Sequence, residues 1–356
     1  MSPVAAGSQD WSSGSPEEVA SGIFRIPLPL PGDGLKAVNA YLLRAVDGDL
    51  LIDCGWDHPA SWRVLASALN HLGSAPHLVR HVFATHFHGD HLGAAGRIRE
   101  ASRALVTLGL GDRESALILA TDPELASSRT GELLRRHGAA SVVEALNLAA
   151  VGRPPRAGRT SLPDLFLTGG LLRFQDREME VLPTPGHTRG HLCLFDRSAG
   201  ILFAGDHVLP HITPSIGVEF PDGGLPLRDF LGSLDAVREL PARLVLPAHG
   251  PAFADLGGRV DQLLEHHRHR LRLCREAVEA GATNAMAVAQ ALRWTRRERR
   301  FAELDAFNQM LAVGESAAHL ELLAARGELL SRVADDAVEF GPLEGPTGNP
   351  RGGDSR

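Results

Sequence analysis

The segment ATHFHGDHLG, residues 84–93, places His86, His88, Asp90 and His91 within six positions. Imidazole nitrogens and carboxylate oxygens are zinc donors, and zinc takes three or four such ligands at about 2.0–2.3 Å. Alternate residues of an extended chain project to the same side, so a His-x-His-x-Asp-His loop at a strand end can aim several donors at one point. Four donors in one loop suit two neighbouring ions better than one. The competing reading is a solvated polar loop that happens to be rich in histidine, and only donors elsewhere in the chain can decide between the two.

Such donors are present. TPGHTRGH offers His187, FAGDHV offers Asp206 and LPAHG offers His249. Each follows an apolar, strand-like run and stands beside glycine, where the backbone can turn sharply and approach a ligand. The expected grouping is one ion on His86, His88 and His187, a second on Asp90, His91 and His249, and Asp206 bridging the pair. Of the 17 histidines, His207 and His211 are secondary candidates for the rim of the site. The remaining ten, including those of EHHRHR at 265–270, are expected at the surface. Asp53 in LIDCG is a candidate to brace a ligand histidine from behind, or else a turn residue. Thr85 and Thr188 read as braces or as local caps.

The elements that must position these donors follow from hydrophobic patterning. GIFRIPLP, NAYLLRAV and DLLIDCG are short apolar runs split by Pro and Gly, the pattern of an antiparallel meander. SWRVLASALNHLG has helical periodicity and ends at Gly73. HLVRHVFATH is a strand that runs straight into the histidine cluster, and HLGAAGRIREA starts a helix. The cluster therefore sits at a strand-to-helix junction, where a rigid strand presents a free loop. After the strand ALVTLG, residues 111–165 read as a mostly helical insertion long enough to serve as a lid. Strands and tight turns return with GGLLRFQDREMEVLP and continue to ARLVLPAHG, interrupted by the amphipathic helix LPLRDFLGSLDAVREL. Two sheets between helices would fit this order.

The expected domains are a disordered leader at 1–20, a catalytic domain at 21–258, a smaller domain at 259–341 and a disordered tail at 342–356. The smaller domain reads helix, helix, helix, hairpin, the outline of a winged-helix module. Its counterpart of a recognition helix, GESAAHLELLAARG, carries two glutamates against one arginine, so nucleic acid is not the expected partner. It reads instead as a packing or homodimerisation element.

Composition sets outer limits. The chain has 356 residues, 44% hydrophobic and 22% charged, which is ordinary for a globular protein of this length. A net charge of −7 gives no reason to expect a polyanion as main partner. Lys36 is the only lysine, a compositional bias rather than a binding signal. Three scattered cysteines imply no disulfide framework. With no export signal and no run of apolar residues long enough for a membrane span, a cytoplasmic protein is expected.

The motifs THFHGDHLGA, TPGHTRGH, FAGDHV and LPAHG, in this order, resemble those of the metallo-β-lactamase fold superfamily over about residues 20–258. The resemblance implies an α/β fold, an αββα sandwich with a dinuclear site at one edge. Residues 260–340 resemble the winged-helix tail of a hydrolase subgroup with thioesterase-like and endoribonuclease-like members. Aspartate rather than cysteine at position 206 sets the chain apart from the commonest true β-lactamases. His88 stands where oxygen-reducing relatives have glutamate. The only tyrosine, Tyr41, lies inside a strand, so the carbonyl-facing tyrosine of signal lactonases has no counterpart.

What the resemblance implies is a metal-dependent hydrolase. Two zinc ions, with iron or manganese as alternatives, would share a water and lower its pKa from 15.7 to about 7. Asp90 is then both a ligand and the catalytic group that orients the water or takes its proton. The expected substrate is a small molecule with an ester-type bond, an acyl thioester first. Phosphodiesters, RNA and lactones follow as alternatives, and a non-enzymatic binding protein comes last. The insertion at 111–165 and the loop at 209–224 are expected to set the substrate. Arg129, Arg135 and Arg136 could meet an anionic handle, or simply form a solvated helix face.

Overall fold

The computed structural model describes residues 11–12, 15–31, 34–151, 162–219 and 224–343. Two compact units emerge from the contacts. Met1–Gly131 with Ala150–His266 forms one, and Glu132–Ala149 with His267–Arg356 forms the other.

The first unit is built on two sheets. The larger contains β1 (Glu17–Ala20), β2 (Ile23–Pro29), β3 (Ala37–Leu43), β4 (Asp49–Ile52), β5 (Val79–Phe83), β6 (Leu105–Gly109) and β7 (Leu165–Leu167), hydrogen-bonded in that order. Strands β2 to β4 are the expected antiparallel meander, and β1 adds to it antiparallel at the edge. From β4 onward the strands are parallel. The crossovers are α1 (Pro59–His71) between β4 and β5, and α2 (Gly89–Leu92) with α3 (Ala95–Ser102) between β5 and β6. The smaller sheet has the order β12-β11-β10-β9-β8, from β8 (Gly170–Phe174), β9 (Arg177–Pro183), β10 (Leu192–Asp196), β11 (Ile201–Gly205) and β12 (Leu244–Pro247). Helix α7 (Pro226–Arg238) joins β11 to its parallel neighbour β12.

Alternation along the strands explains the layering. Tyr41, Leu43, Leu50, Ile52 and Phe83 of the larger sheet form one core with Met179, Val181, Leu192, Leu194, Phe203 and Leu246 of the smaller. The opposite face of the larger sheet, Val38, Ala40, Leu42, Leu51 and Val82, packs on Leu65 and Leu69 of α1 and Ile98 of α3. This is the αββα sandwich.

The stretch expected to be a disordered leader contributes β1, whose Glu17 pairs with Arg25 across the strands and through a 2.7 Å ion pair. Residues 1–10 and 13–14 lie outside the described residues, as do 344–356 of the expected tail. The insertion holds α4 (Arg113–Thr121), α5 (Pro123–Arg136) and α6 (Ala140–Ala150), and its loop GRPPRAGRT lies outside the described residues. Arg129 faces Glu114 at 3.6 Å, while Arg135 and Arg136 are exposed.

In the second unit, α6 and the end of α5 associate with the chain after His267. Met286 N–H donates to His137 O across this association, and Asn284 caps α9 (Ala285–Ala291) by accepting from Ala287 N–H. The order there runs from the long helix α8 (Leu256–Glu279) through α9, the short hairpin β13–β14 (Arg293–Trp294, Arg299–Arg300), α10 (Ala306–Ala325) and the hairpin β15–β16 (Leu329–Ala334, Ala337–Pro342). Among the described residues no helix is long and apolar enough to cross a membrane.

Candidate metal centre

Every predicted ligand follows the C-terminal end of a strand. His86, His88, Asp90 and His91 follow β5, His187 follows β9, Asp206 follows β11 and His249 follows β12. Parallel neighbours end at the same sheet edge, so the topology gathers these loops together. Three overlapping groups result: His86, His88 and His187; His86, His91 and Asp206; and Asp90, His91 and His249. Within each, the ligand atoms lie within 4.8 Å of one another.

The first group is tight. His86 Nε2 and His88 Nδ1 are 2.8 Å apart, and His187 Nε2 is 3.1 Å from the same His88 nitrogen. Burial holds all three imidazoles neutral: His86 well below its ordinary pKa, His88 down to about 3 and His187 down to about 4, with neighbouring rings adding to the effect for His86 and His88. Neutral nitrogens that converge on one point present lone pairs, the form in which histidine binds metal.

The group of Asp90, His91 and His249 instead carries charges of both signs. Burial pushes the Asp90 carboxyl up, but His91 and His249 outweigh it and hold the group ionised, well below the carboxylate range. For His249 burial pulls down, yet Asp206 and Asp90 raise it to about 9. His91 is likewise raised well above its usual value by Asp90, Asp53 and Asp206 against the pull of burial. Asp206 stands between the groups with one oxygen toward each. Oδ2 is 3.5 Å from His187 Nε2, and Oδ1 is 3.7 Å from His91 Nε2 and 3.4 Å from His249 Nε2.

Burial leaves specific atoms stranded. His91 Nε2, His249 Nε2 and Asp206 Oδ1 are all buried without a hydrogen-bond partner. Stranded polar atoms are costly, by about 1–3 kcal/mol each or more when charged. A divalent cation among them removes that cost, so the residues present fit a metal centre. The nitrogen and oxygen donor set suits zinc, and also iron.

The other ring nitrogens are fixed from outside. His187 Nδ1 donates to Ser215 O (2.7 Å), His249 Nδ1 to Ala37 O (2.9 Å) and His91 Nδ1 to Asp53 Oδ2 (2.8 Å). Such bonds set the tautomer that leaves Nε2 free to ligate. Asp53 carries both roles proposed from the sequence. It turns the chain after β4 with φ +55°, and its carboxylate accepts from Thr85 N–H, Thr85 Oγ1 and His91. Asn39 and Tyr41 on β3 hold the His249 loop by donating to Pro247 O, at 2.9 and 2.7 Å.

Sequence reasoning missed two residues here, Asp112 and His191. Asp112 is fully buried, and burial pushes its carboxyl up to about 7. Thr188, read from sequence as a brace or a cap, donates its hydroxyl to this Asp112. His191, expected at the surface, is buried, with Nδ1 2.8 Å from Thr184 Oγ1 and Nε2 accepting Asp206 N–H at 3.1 Å. His207, expected at the rim, is fully buried against the Phe230 ring, whereas His211 is exposed. His137, His267 and His319, also expected outside, are buried within the second unit, the last two 3.2 Å apart. The signal for His191 was its place in TPGHTRGH, where it sits four residues after a ligand.

The model of the metallo-beta-lactamase superfamily matches residues 33–249. The chain belongs to this superfamily. Among solved structures, a metallo-beta-lactamase family protein from Thermus thermophilus aligns over 91% of this chain and 99% of its own length. It is 26% identical, with a TM-score of 0.75. A beta-lactamase domain protein from Burkholderia ambifaria aligns over 93% and 95%, at 26% identity and a TM-score of 0.72. The acyl-coenzyme A thioesterase of Gallus gallus is 31% identical over 56% of this chain and 66% of its own length. The atrochrysone carboxyl ACP thioesterase of Aspergillus fumigatus is 26% identical over 66% of this chain. This chain spans only 43% of that protein's length.

Proposed function

We propose that the chain is a metal-dependent hydrolase of small-molecule ester-type bonds, with an acyl thioester as substrate. The observation that carries the metal reading is the set of buried ligand atoms without a hydrogen-bond partner, His91 Nε2, His249 Nε2 and Asp206 Oδ1, gathered with the other donors of the three groups. In this reading one ion is held by His86, His88 and His187, a second by Asp90, His91 and His249, and Asp206 spans the two. Zinc is the proposed metal.

When bound, the ions supply Lewis-acid polarisation of a substrate carbonyl and acidify water. The chain's own residues do the rest. Asp90, kept ionised, orients the attacking water and accepts its proton. Asp53, Ser215 and Ala37 hold the ligand rings so that no reorientation accompanies the reaction. The choice of a thioester has a chemical argument beside the two thioesterase relatives. Tyr41, which could have protonated a leaving group, is committed to Pro247 O, so protonation would fall to Asp90 alone, after it has taken the water's proton. A thiolate, whose conjugate acid has a pKa of about 8.5, departs without prior protonation, whereas an amine or alkoxide would need it. The C-terminal part of the chain, helices α8 to α10 closed by the β15–β16 hairpin, is read as a winged-helix-like packing or dimerisation element.

The test is hydrolysis of an acyl-thioester series by the zinc-loaded protein, paired with Asp90→Ala. A saturable rate that falls at least about 100-fold in the variant supports the reading. Equal rates for the two proteins overturn it. A phosphodiester is the alternative substrate. A model phosphodiester in the same assay separates the readings.

A further inference from the structure

We propose that Asp112 is a positioning residue dedicated to one half of the centre, the ion held by His86, His88 and His187. This rests on the two-ion reading above. The carboxylate lies just beyond β6, buried, between the two loops that supply those ligands. Oδ2 accepts from Phe87 N–H at 3.0 Å and from the Thr188 hydroxyl at 3.0 Å, and Oδ1 accepts from Gly190 N–H at 2.6 Å. Phe87 separates His86 from His88, and Thr188 follows His187. A single oxygen therefore ties the backbone of one ligand loop to the residue beside the ligand of the other.

The surrounding backbone is shaped for this contact. A side chain at Gly109 would meet Gly190 O at 1.7 Å, and one at Gly111 would meet Arg189 O at 2.5 Å. One at Gly190 would meet Asp112 N at 2.3 Å and its carboxyl carbon at 2.6 Å. Three glycines thus permit segment 109–112 to lie directly on segment 188–190. Close backbone approach is a recognised use of glycine, and here its product is a carboxylate delivered to three donors. On the other side Asp53 reaches a ligand directly, through His91 Nδ1.

The assignment predicts selectivity, which a general folding role would not. Zinc affinity would be measured by chelator competition in two backgrounds: His249→Ala, which keeps the His86, His88 and His187 ion, and His88→Ala, which keeps the other. Adding Asp112→Ala should weaken zinc about 10–100-fold in the first background, the usual size of an outer-shell effect. It should leave the second within about twofold. Asp112→Asn, which retains one acceptor, should fall between, and Thr188→Val should reproduce part of the loss with the fold intact. If Asp112→Ala does not fold, these two milder variants carry the comparison. Equal losses in both backgrounds, or none in the first, overturn the assignment. Zinc binding by the unsubstituted chain is measured in parallel. If that chain takes up no zinc, the two-ion reading itself falls and this assignment with it, whereas two ions taken up without selectivity refute Asp112 alone.

Discussion

Asp53→Asn isolates the contribution of one hydrogen bond to the centre. The Asp53 carboxylate accepts three bonds: Thr85 N–H at 2.8 Å, Thr85 Oγ1 at 3.0 Å and His91 Nδ1 at 2.8 Å. An asparagine of the same shape keeps one oxygen and turns the other position into a donor. The rigid Thr85 amide claims the remaining oxygen, because the alternative places two donors head to head. The new amide hydrogens then point at His91 Nδ1 and favour the tautomer protonated at Nε2, the nitrogen that must ligate. A charged hydrogen bond of this kind contributes about 1.5–3 kcal/mol. That range agrees with the 10–100-fold loss of metal affinity typical when such a partner is removed. The loss should fall on the ion of Asp90, His91 and His249, read by chelator competition in the His88→Ala background. An unchanged zinc affinity would refute the claim that Asp53 sets the His91 tautomer.

Two further predictions follow from the same geometry. Without metal, His249 is protonated below about 9 because Asp206 and Asp90 face it, so an ion at its Nε2 must expel a proton. Apparent zinc affinity should therefore rise by at least about tenfold per pH unit between about pH 6.5 and 8.5, with His91, also held protonated by Asp90, Asp53 and Asp206, adding to the slope. His88 and His187, held neutral at about 3 and 4, add no slope there. A flat profile in competition titrations would contradict this. Phe203→Ala removes the ring that meets Tyr41 edge-on at 5.6 Å between the two sheets. It should cost about 3–5 kcal/mol in denaturant unfolding, and a loss under about 1 kcal/mol would show that the inter-sheet core can collapse around the void.

The candidate ligands that the structure gathers were legible in the sequence because they are embedded in short motifs beside glycine at strand ends. The meander, the parallel crossovers and the β15–β16 hairpin were legible for the same reason, since their apolar periods are local. Asp112 was not. It is a single aspartate after GLG, and its value comes from partners 25 and 78 positions away. His191, His267 and His319 were misplaced because composition alone assigns a histidine-rich stretch to the surface, while burial is decided by what packs across from it. The insertion showed the same limit. Its helices could be read, but the association of 132–149 with the chain after 267 depends on contacts such as His137 with Met286.

The central claim is that seven side chains hold two ions with Asp206 between them. The most direct measurement is a crystal structure of the zinc-loaded protein with anomalous data at the zinc edge. The account predicts two peaks, about 3.5–4 Å apart as in other two-metal sites. One should lie among His86, His88 and His187 and the other among Asp90, His91 and His249, each within reach of one Asp206 oxygen. A single peak, or zinc held only by residues outside these seven, would contradict it.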